Sequence, residues 1–321
     1  MPARSDASRR IAANWCRPSA ARSPNASRPI PARTCGRSSD PRWWLCTERI
    51  QSHSKTERVF VTQYILTRKD GAIGHVVFNK PEKMNAICLE MWKGMGDAMA
   101  AFEADDEVRV VVFSGAGGKA FVAGADVGKY EDERGDKASQ ERYAKTGEDA
   151  LQAIYRSKKV TIAAIDGYCI GGGVSVALVC DLRYCSAQSS FGQPAMNIGI
   201  GYRYSSLRRM VDIIGYGASK DMLLGGLRFD AQEAFSKGLV GRVLPNEEFQ
   251  PWIDKTVRNI SIGAPLTAED IKFTLWTYAQ DEASRDTDRC EELFQICYAS
   301  DDYKEGVRAF AEKRKPVFTG K

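Results

Sequence analysis

Two short, small-residue segments hold the groups best suited to chemistry, Ala123-Gly124-Ala125-Asp126 and Gly171-Gly172-Gly173. Each follows an apolar run that reads as a strand buried on both faces, Val108–Ser114 before the first and Val160–Ile165 before the second. Residues with almost no side chain let a ligand approach the backbone, and the second segment opens an apolar helix over Val174–Cys180. A helix N-terminus presents unpaired N–H groups at the positive end of its dipole. Two such N–H groups converging on one carbonyl oxygen form an oxyanion hole, which stabilises an enolate or a tetrahedral intermediate. The competing reading is a pair of turns kept small for close packing. Asp126 offers either an acid–base carboxyl or a side chain that orients its own loop.

Other chemistries find less support. Two histidines in 321 residues argue against mechanisms that need a His cluster, and Ser175 has no His partner to make it a nucleophile. His75 alternates along a strand and reads as half-buried and structural. The six cysteines from Cys88 onward have no CxxC spacing and read as buried free thiols of a reducing compartment, so no metal site is expected. Gly199 and Gly201 lack the third glycine and the preceding strand of a dinucleotide motif.

The formal charge of +5 is unevenly spread. Residues 1–58 carry twelve Lys and Arg against four Asp and Glu, and the rest of the chain carries 34 against 37. The body therefore has no basic excess to recruit nucleic acid. No apolar run approaches the roughly 18 residues of a membrane span. The leader, rich in Ser, Ala, Arg and Pro, has no secondary-structure period and is expected to add nothing to the fold. It reads as upstream sequence translated from an early start or as an organellar transit peptide. The expected location is accordingly the cytoplasm, or an organelle matrix if the leader is a transit peptide.

The elements that must position the two segments follow from periodicity. Tyr64–Thr67 and Ile73–Phe78 read as strands joined at Asp70-Gly71, and Ile87, Met91, Met95, Met99 and Phe102 mark a helix. Glu131–Glu148 is strongly charged and reads as a mobile, solvated helix or loop. From about Gly217 the pattern is mostly helical, so the chain is α/β with a helical annex.

The order of motifs resembles the enoyl-CoA hydratase/isomerase (crotonase) family, from near Val61 to Gly320. It includes Asn79-Lys80-Pro81 with Met84-Asn85-Ala86, Lys119-Ala120-Phe121 through Ala125-Asp126, and Ile162-Ala163-Ala164 through Gly171-Gly172-Gly173. Cys180-Asp181, Phe191-Gly192-Gln193-Pro194, Ala231–Gly241 and a tail from Glu305-Gly306 to Lys313-Arg314-Lys315 complete it. The resemblance implies a crotonase-like spiral of ββα units over 59–256 and a helical C-terminal trimerisation region over 257–321, assembled as a homotrimer or homohexamer. It implies an enzyme, a lyase or isomerase of fatty acid metabolism, acting on acyl-CoA. Coenzyme A would arrive as part of the thioester substrate, with no permanently bound cofactor. The implied oxyanion donors are the N–H groups of Ala125 and Gly172. The implied coenzyme A contacts are Lys83 and Ala123, with Phe294 and Lys313 from a neighbouring subunit.

At the two positions where hydratases of the family carry glutamates, this chain has Ser175 and Ala195. Hydration needs a base for water and an acid for Cα, and neither residue supplies a carboxylate. The loop beyond is Gly199-Ile200-Gly201-Tyr202-Arg203-Tyr204. Tyr202 could protonate an enolate and Arg203 could hold an anionic acyl tail. Decarboxylation or thioester hydrolysis on the same cradle, a hydratase with a carboxylate from 131–148, and an acyl-CoA-binding protein without turnover are the alternatives.

Overall fold

The computed structural model describes residues 58–60 and 62–321. The readings of the leader through residue 57 lie outside the described residues. Among the described residues no helix is long and apolar enough to cross a membrane.

Among the described residues, eleven strands form two sheets. The larger opens with β1 (Arg58–Phe60), β2 (Ile65–Asp70) and β3 (Ile73–Phe78), paired antiparallel. It continues in parallel through β4 (Val110–Gly115), β6 (Val160–Ile165), β8 (Leu182–Ser186) and β11 (Arg242–Leu244). The smaller sheet holds β5 (Ala120–Ala123), β7 (Tyr168–Ile170) and β9 (Ser190–Gly192) in parallel, with β10 (Phe229–Asp230) antiparallel at its edge. Each of β4, β6 and β8 in the large sheet is followed by a strand of the small one and then by a helix. That repeat is a spiral of ββα turns.

The strands have the burial their composition requires. In β4, Val111 and Phe113 enter one core beneath α1 (Leu89–Glu103), α3 (Lys137–Tyr155) and α4 (Gly172–Val179). Val110 and Val112 point the other way, to Phe249, Ile253 and Val257 of α7 (Asn246–Ser261). Successive side chains of a strand face opposite sides, so a parallel strand covered by helices on both faces must be apolar throughout. Arg109, the charged residue expected inside this strand, precedes it. Its guanidinium donates to the carbonyls of Ser261, Gly263 and Phe318, tying the C-terminus to the sheet.

The other helices are α2 (Tyr130–Arg134), α5 (Tyr204–Leu223), α6 (Ala231–Ser236), α8 (Pro265–Tyr278), α9 (Thr287–Ala299) and α10 (Asp301–Ala311). The charged 131–148 stretch is helical, the first of its two readings, and within it α3 buries Ser139 and Gly147. Two expectations need correction. Ile87 is not helical and bridges to Ala125 instead. The division drawn at 256/257 passes through α7, so the helical C-terminal region begins after Ser261. His75 is half-buried as expected, beside Arg68, and burial pushes its pKa down to about 4. Cys88, Cys169, Cys180 and Cys185 are buried, whereas Cys290 and Cys297 are only half-buried.

Candidate active site

Three segments of the site leave the ends of three adjacent strands. Ala123, Ile170 and Gly192 lie in register across β5, β7 and β9, and each is the last residue of its strand. The chain then continues as Gly124-Ala125-Asp126, Gly171-Gly172-Gly173 and Gln193-Pro194-Ala195. Strand ends of a parallel sheet all point the same way, so segments about 20 to 50 residues apart in sequence meet at one edge.

The first segment is held from outside by the turn that precedes α1. Asn85 sits in the left-handed region and is fully buried. Its side chain accepts from the Lys80 N–H at 2.9 Å and donates to the carbonyls of Ala116 and Ala120. Ala123 N–H donates to Met84, Ile87 N–H to Gly124, and Asp126 N–H to Ile87. This parallel bridge uses the groups on either side of the Ala125 N–H, which donates to no described residue.

The second segment turns sharply. Gly171 has φ +55, where a side chain would be strained, and a Cβ there would lie 3.4 Å from the Cα of Gly124. The two loops therefore touch backbone to backbone. Gly171 N–H donates to Gly192 at 2.9 Å, and Gly172 becomes the first residue of α4 with its N–H free of any described acceptor. Trp92 packs beside Gly172, its indole N–H donating to the hydroxyl of Tyr143 on α3 at 2.8 Å. At the next residue, a Cβ on Gly173 would stand 2.6 Å from the carbonyl oxygen of Val122. Gly173→Ala is expected to lower stability by about 1–3 kcal/mol, since backbone must move to admit the methyl. Thermal unfolding measures this, and an unchanged Tm refutes the clash.

Asp126 caps the short 3₁₀ turn Val127–Lys129, accepting from the Gly128 N–H at 3.1 Å. Its other oxygen is ion-paired with Lys80, and the two side chains are 8% and 6% exposed. The Lys80 hydrogen bond outweighs burial and holds the Asp126 carboxyl below the usual carboxylate range. Burial works against the Lys80 charge, yet Asp126 and neighbouring groups keep the pKa of Lys80 raised. Lys80 also lies 4.7 Å from the Tyr64 ring centre. Asp126 is thus committed on both oxygens, one to Gly128 of its own loop and the other to Lys80.

Beyond the glycine turn is a cavity of about 10 Å³, the room of one water molecule. Its walls include Ser175, Leu178, Gln193, Tyr202 and Arg209. The Tyr202 hydroxyl donates to Gln193 Oε1 at 2.7 Å, and burial pushes its pKa up to about 12. Ala195 lies in a 3₁₀ turn, Ala195–Ile198, on the way to this loop. Arg203 is exposed and does not line the cavity, which corrects its expected place beside the acyl group.

Of the expected coenzyme A contacts, Ala123 lies within the site and Lys83 close enough for its charge to lower the Asp126 pKa. Phe294 and Lys313 stand apart on the C-terminal helical region. Phe294 is 44% exposed and stacks on Tyr298, and Lys313 follows α10 with φ +53. The roles of Lys80, Gln193 and Arg209 were not read from sequence. The first two lie within matched motifs, whereas Arg209 is one of two adjacent arginines on an amphipathic helix and carries no signal of its own.

The spiral of ββα turns, with its candidate site at the ends of three parallel strands, defines the class as an α/β spiral protein. The sequence pattern of the enoyl-CoA hydratase/isomerase family matches residues 68–321. A crotonyl-CoA hydratase from Syntrophomonas wolfei is 31% identical over 257 residues, covering 80% of this chain and 98% of that relative. A peroxisomal Δ(3,5)-Δ(2,4)-dienoyl-CoA isomerase from Arabidopsis thaliana is 30% identical over 267 residues, covering 80% and 96%. The crystal structure of an enoyl-CoA hydratase/carnithine racemase from Magnetospirillum magneticum superposes with a TM-score of 0.76 at 33% identity, over 82% of this chain and 97% of that one. The chain belongs to the enoyl-CoA hydratase/isomerase family.

Proposed function

We propose that the protein acts on short acyl-CoA thioesters, with the Ala125 and Gly172 N–H groups holding the thioester oxygen while the acyl group becomes an enolate. The observation that carries this reading is the pair of N–H groups, free of described acceptors, on loops that touch at Gly124 and Gly171. Fixed donors of this kind stabilise the charge that gathers on oxygen, typically by about 10²–10³ in rate for each donor. The names of the relatives supply the coenzyme A thioester, which on this reading Lys83 and Ala123 would contact.

The route to the enolate follows from what surrounds it. Ser175 stands on the cavity wall, Ala195 follows Gln193-Pro194, and Asp126 is tied to Lys80, so proton abstraction by a carboxylate is poorly provided for. A malonyl-type thioester needs no base. The bond from Cα to its carboxylate breaks, CO₂ leaves, and the electron pair passes to the enolate. Tyr202 then delivers its proton to Cα and recovers one from solvent. Hydration is the second reading, favoured by the relatives' names and by Glu148, which ends the charged stretch and bonds Gln152 and Ser205.

Parallel assays with methylmalonyl-CoA, crotonyl-CoA and a 3-enoyl-CoA separate the readings. Turnover of methylmalonyl-CoA with release of CO₂ is expected, flat from pH 7 to 10 because a phenol of pKa about 12 stays protonated there. A rate that falls with a midpoint near pH 7 contradicts Tyr202 as the donor. Tight binding without turnover of any of the three leaves an acyl-CoA-binding protein. The same reading includes self-assembly through the C-terminal helices, where Leu275, Tyr278 and Phe310 are 64%, 75% and 87% exposed. Sedimentation tests it, and a monomer at micromolar concentration contradicts it.

A further inference from the structure

Trp92, on α1, is buried with its indole wedged between α3 and the start of α4. A Cβ on Gly172 would lie 3.4 Å from its Cζ2, and a Cβ on Gly147 of α3 would lie 3.4 Å from its Cε2. Glycine at both places lets the ring come close to the backbone of each helix. A buried indole N–H needs an acceptor, and here it is the Tyr143 hydroxyl, on the same helix as Gly147. Tyr143 is fixed in turn by Arg134 of α2, whose guanidinium carbon lies 3.5 Å from its ring centre and 4.2 Å from that of Tyr130. The Nε of Arg134 is buried without a hydrogen-bond partner, so contact with the two ring faces holds it. The start of α4 has no comparable support of its own. Gly171, its N-cap, has no side chain to cap the helix, so beyond the backbone bonds at Gly171 the place of Gly172 depends on Ile87 and Trp92 packed against it.

We infer that Trp92 and Tyr143 are positioning residues for the Gly172 N–H, Trp92 by wedging its indole against the start of α4 and Tyr143 by holding that indole in place. The inference rests on the reading of Gly172 as an oxyanion donor. Such a donor works only where it points at the oxygen as charge develops, and a displacement of about 1 Å can cost about 10² in rate. Neither side chain is required to touch the thioester. Loss of either should therefore weaken the hydrogen bond to the thioester oxygen without weakening the hold on coenzyme A. A tryptophan that merely filled the core would affect stability and leave the polarisation of the bound carbonyl as it was.

Infrared difference spectra of acetyl-CoA, isotope-labelled at its carbonyl carbon and bound to the purified full-length protein, read that hydrogen bond without any need for turnover. A donor to the oxygen lowers the C=O stretching frequency, so the bound band should lie below that of free acetyl-CoA, and Gly172→Pro should shift it back toward the free value. Tyr143→Phe keeps the ring and removes only the acceptor of the indole N–H. It is expected to shift the band part of the same way and to lower kcat with methylmalonyl-CoA about tenfold, with KM within about twofold. Trp92→Phe should do the same to a larger degree. In that background Tyr143→Phe should add nothing further, since both act through one indole. A lowered Tm with band and kcat unchanged in both variants makes the pair core packing only and overturns the inference. Should Trp92→Phe not fold, the band and kcat of Tyr143→Phe decide the matter. A band that Gly172→Pro leaves unmoved refutes the oxyanion reading and this inference with it, and acetyl-CoA that does not bind refutes the acyl-CoA site.

Discussion

Gly172→Pro is expected to lower kcat by about 10²–10³ while Gly172→Ala stays within tenfold of the unmodified protein. The contrast isolates one N–H group. Gly172 is the first residue of α4, where proline is favoured because its missing N–H is one the helix does not use. Both variants add a Cβ, which would meet the tip of Ile87 at 3.1 Å, a flexible side-chain end that can shift. Gly171 before it has ψ −114, extended in the mirror-image sense that glycine permits and that leaves room for a proline ring. The helix and the fold should therefore survive in both, as circular dichroism and thermal unfolding would show. What proline alone removes is the donor to the thioester oxygen. Loss of activity in both variants to the same degree would place the effect in the Cβ and sink the role of the N–H.

Lys80→Met carries the largest expected effect on stability, a loss of about 3–5 kcal/mol, because Asp126 is left charged and buried without its partner. The pH dependence distinguishes this from simple loss of packing. In the unmodified protein the depressed Asp126 pKa contributes stability that is present above the unfolded value near 4 and is lost as pH falls through the lower folded value. In Lys80→Met burial acts on Asp126 against only the Gly128 N–H and the Lys83 charge, and its folded pKa is expected to rise above the unfolded one. That variant should gain stability as pH falls from 7 to 5, narrowing its gap to the unmodified protein. Urea unfolding at both pH values measures the change, and a constant gap means that charge burial is not the cause. Lys80→Met with Asp126→Leu should recover much of the loss at neutral pH, while the loop carrying Ala125 loses its cap at Gly128. The pair thus links stability to the placing of a candidate catalytic donor.

Much of the fold was legible in local pattern. Ile73–Phe78 and Val160–Ile165 are strands over the residues read from periodicity, since apolar runs of that length bounded by turn residues have few alternatives. The helix marked by Ile87 to Phe102 begins only at Leu89, because a three- to four-residue spacing continues past the true start. The charged 131–148 stretch left helix and loop open. Its acidic and basic residues dominate the composition, and most of the buried stripe of α3, Ala150, Leu151 and Ile154, lies beyond it.

The sequence by itself determined the family, the α/β class and the candidate donors Ala125 and Gly172, because these depend on residue type and order along the chain. The resemblance further implies that Ser175 and Ala195 stand where hydratases of the family carry glutamates. Only the tertiary structure decided which groups meet. The register of three parallel strands brings Gly124, Gly171 and Gln193 to one edge, and no local spacing records a register between strands so far apart in sequence. Burial decided the rest. Lys80 and Asp126 are ordinary surface residue types until packing removes water from both. Arg203 and Arg209 look alike in sequence, but Arg203 precedes α5 and is exposed, whereas Arg209 lies within the helix and on the cavity wall.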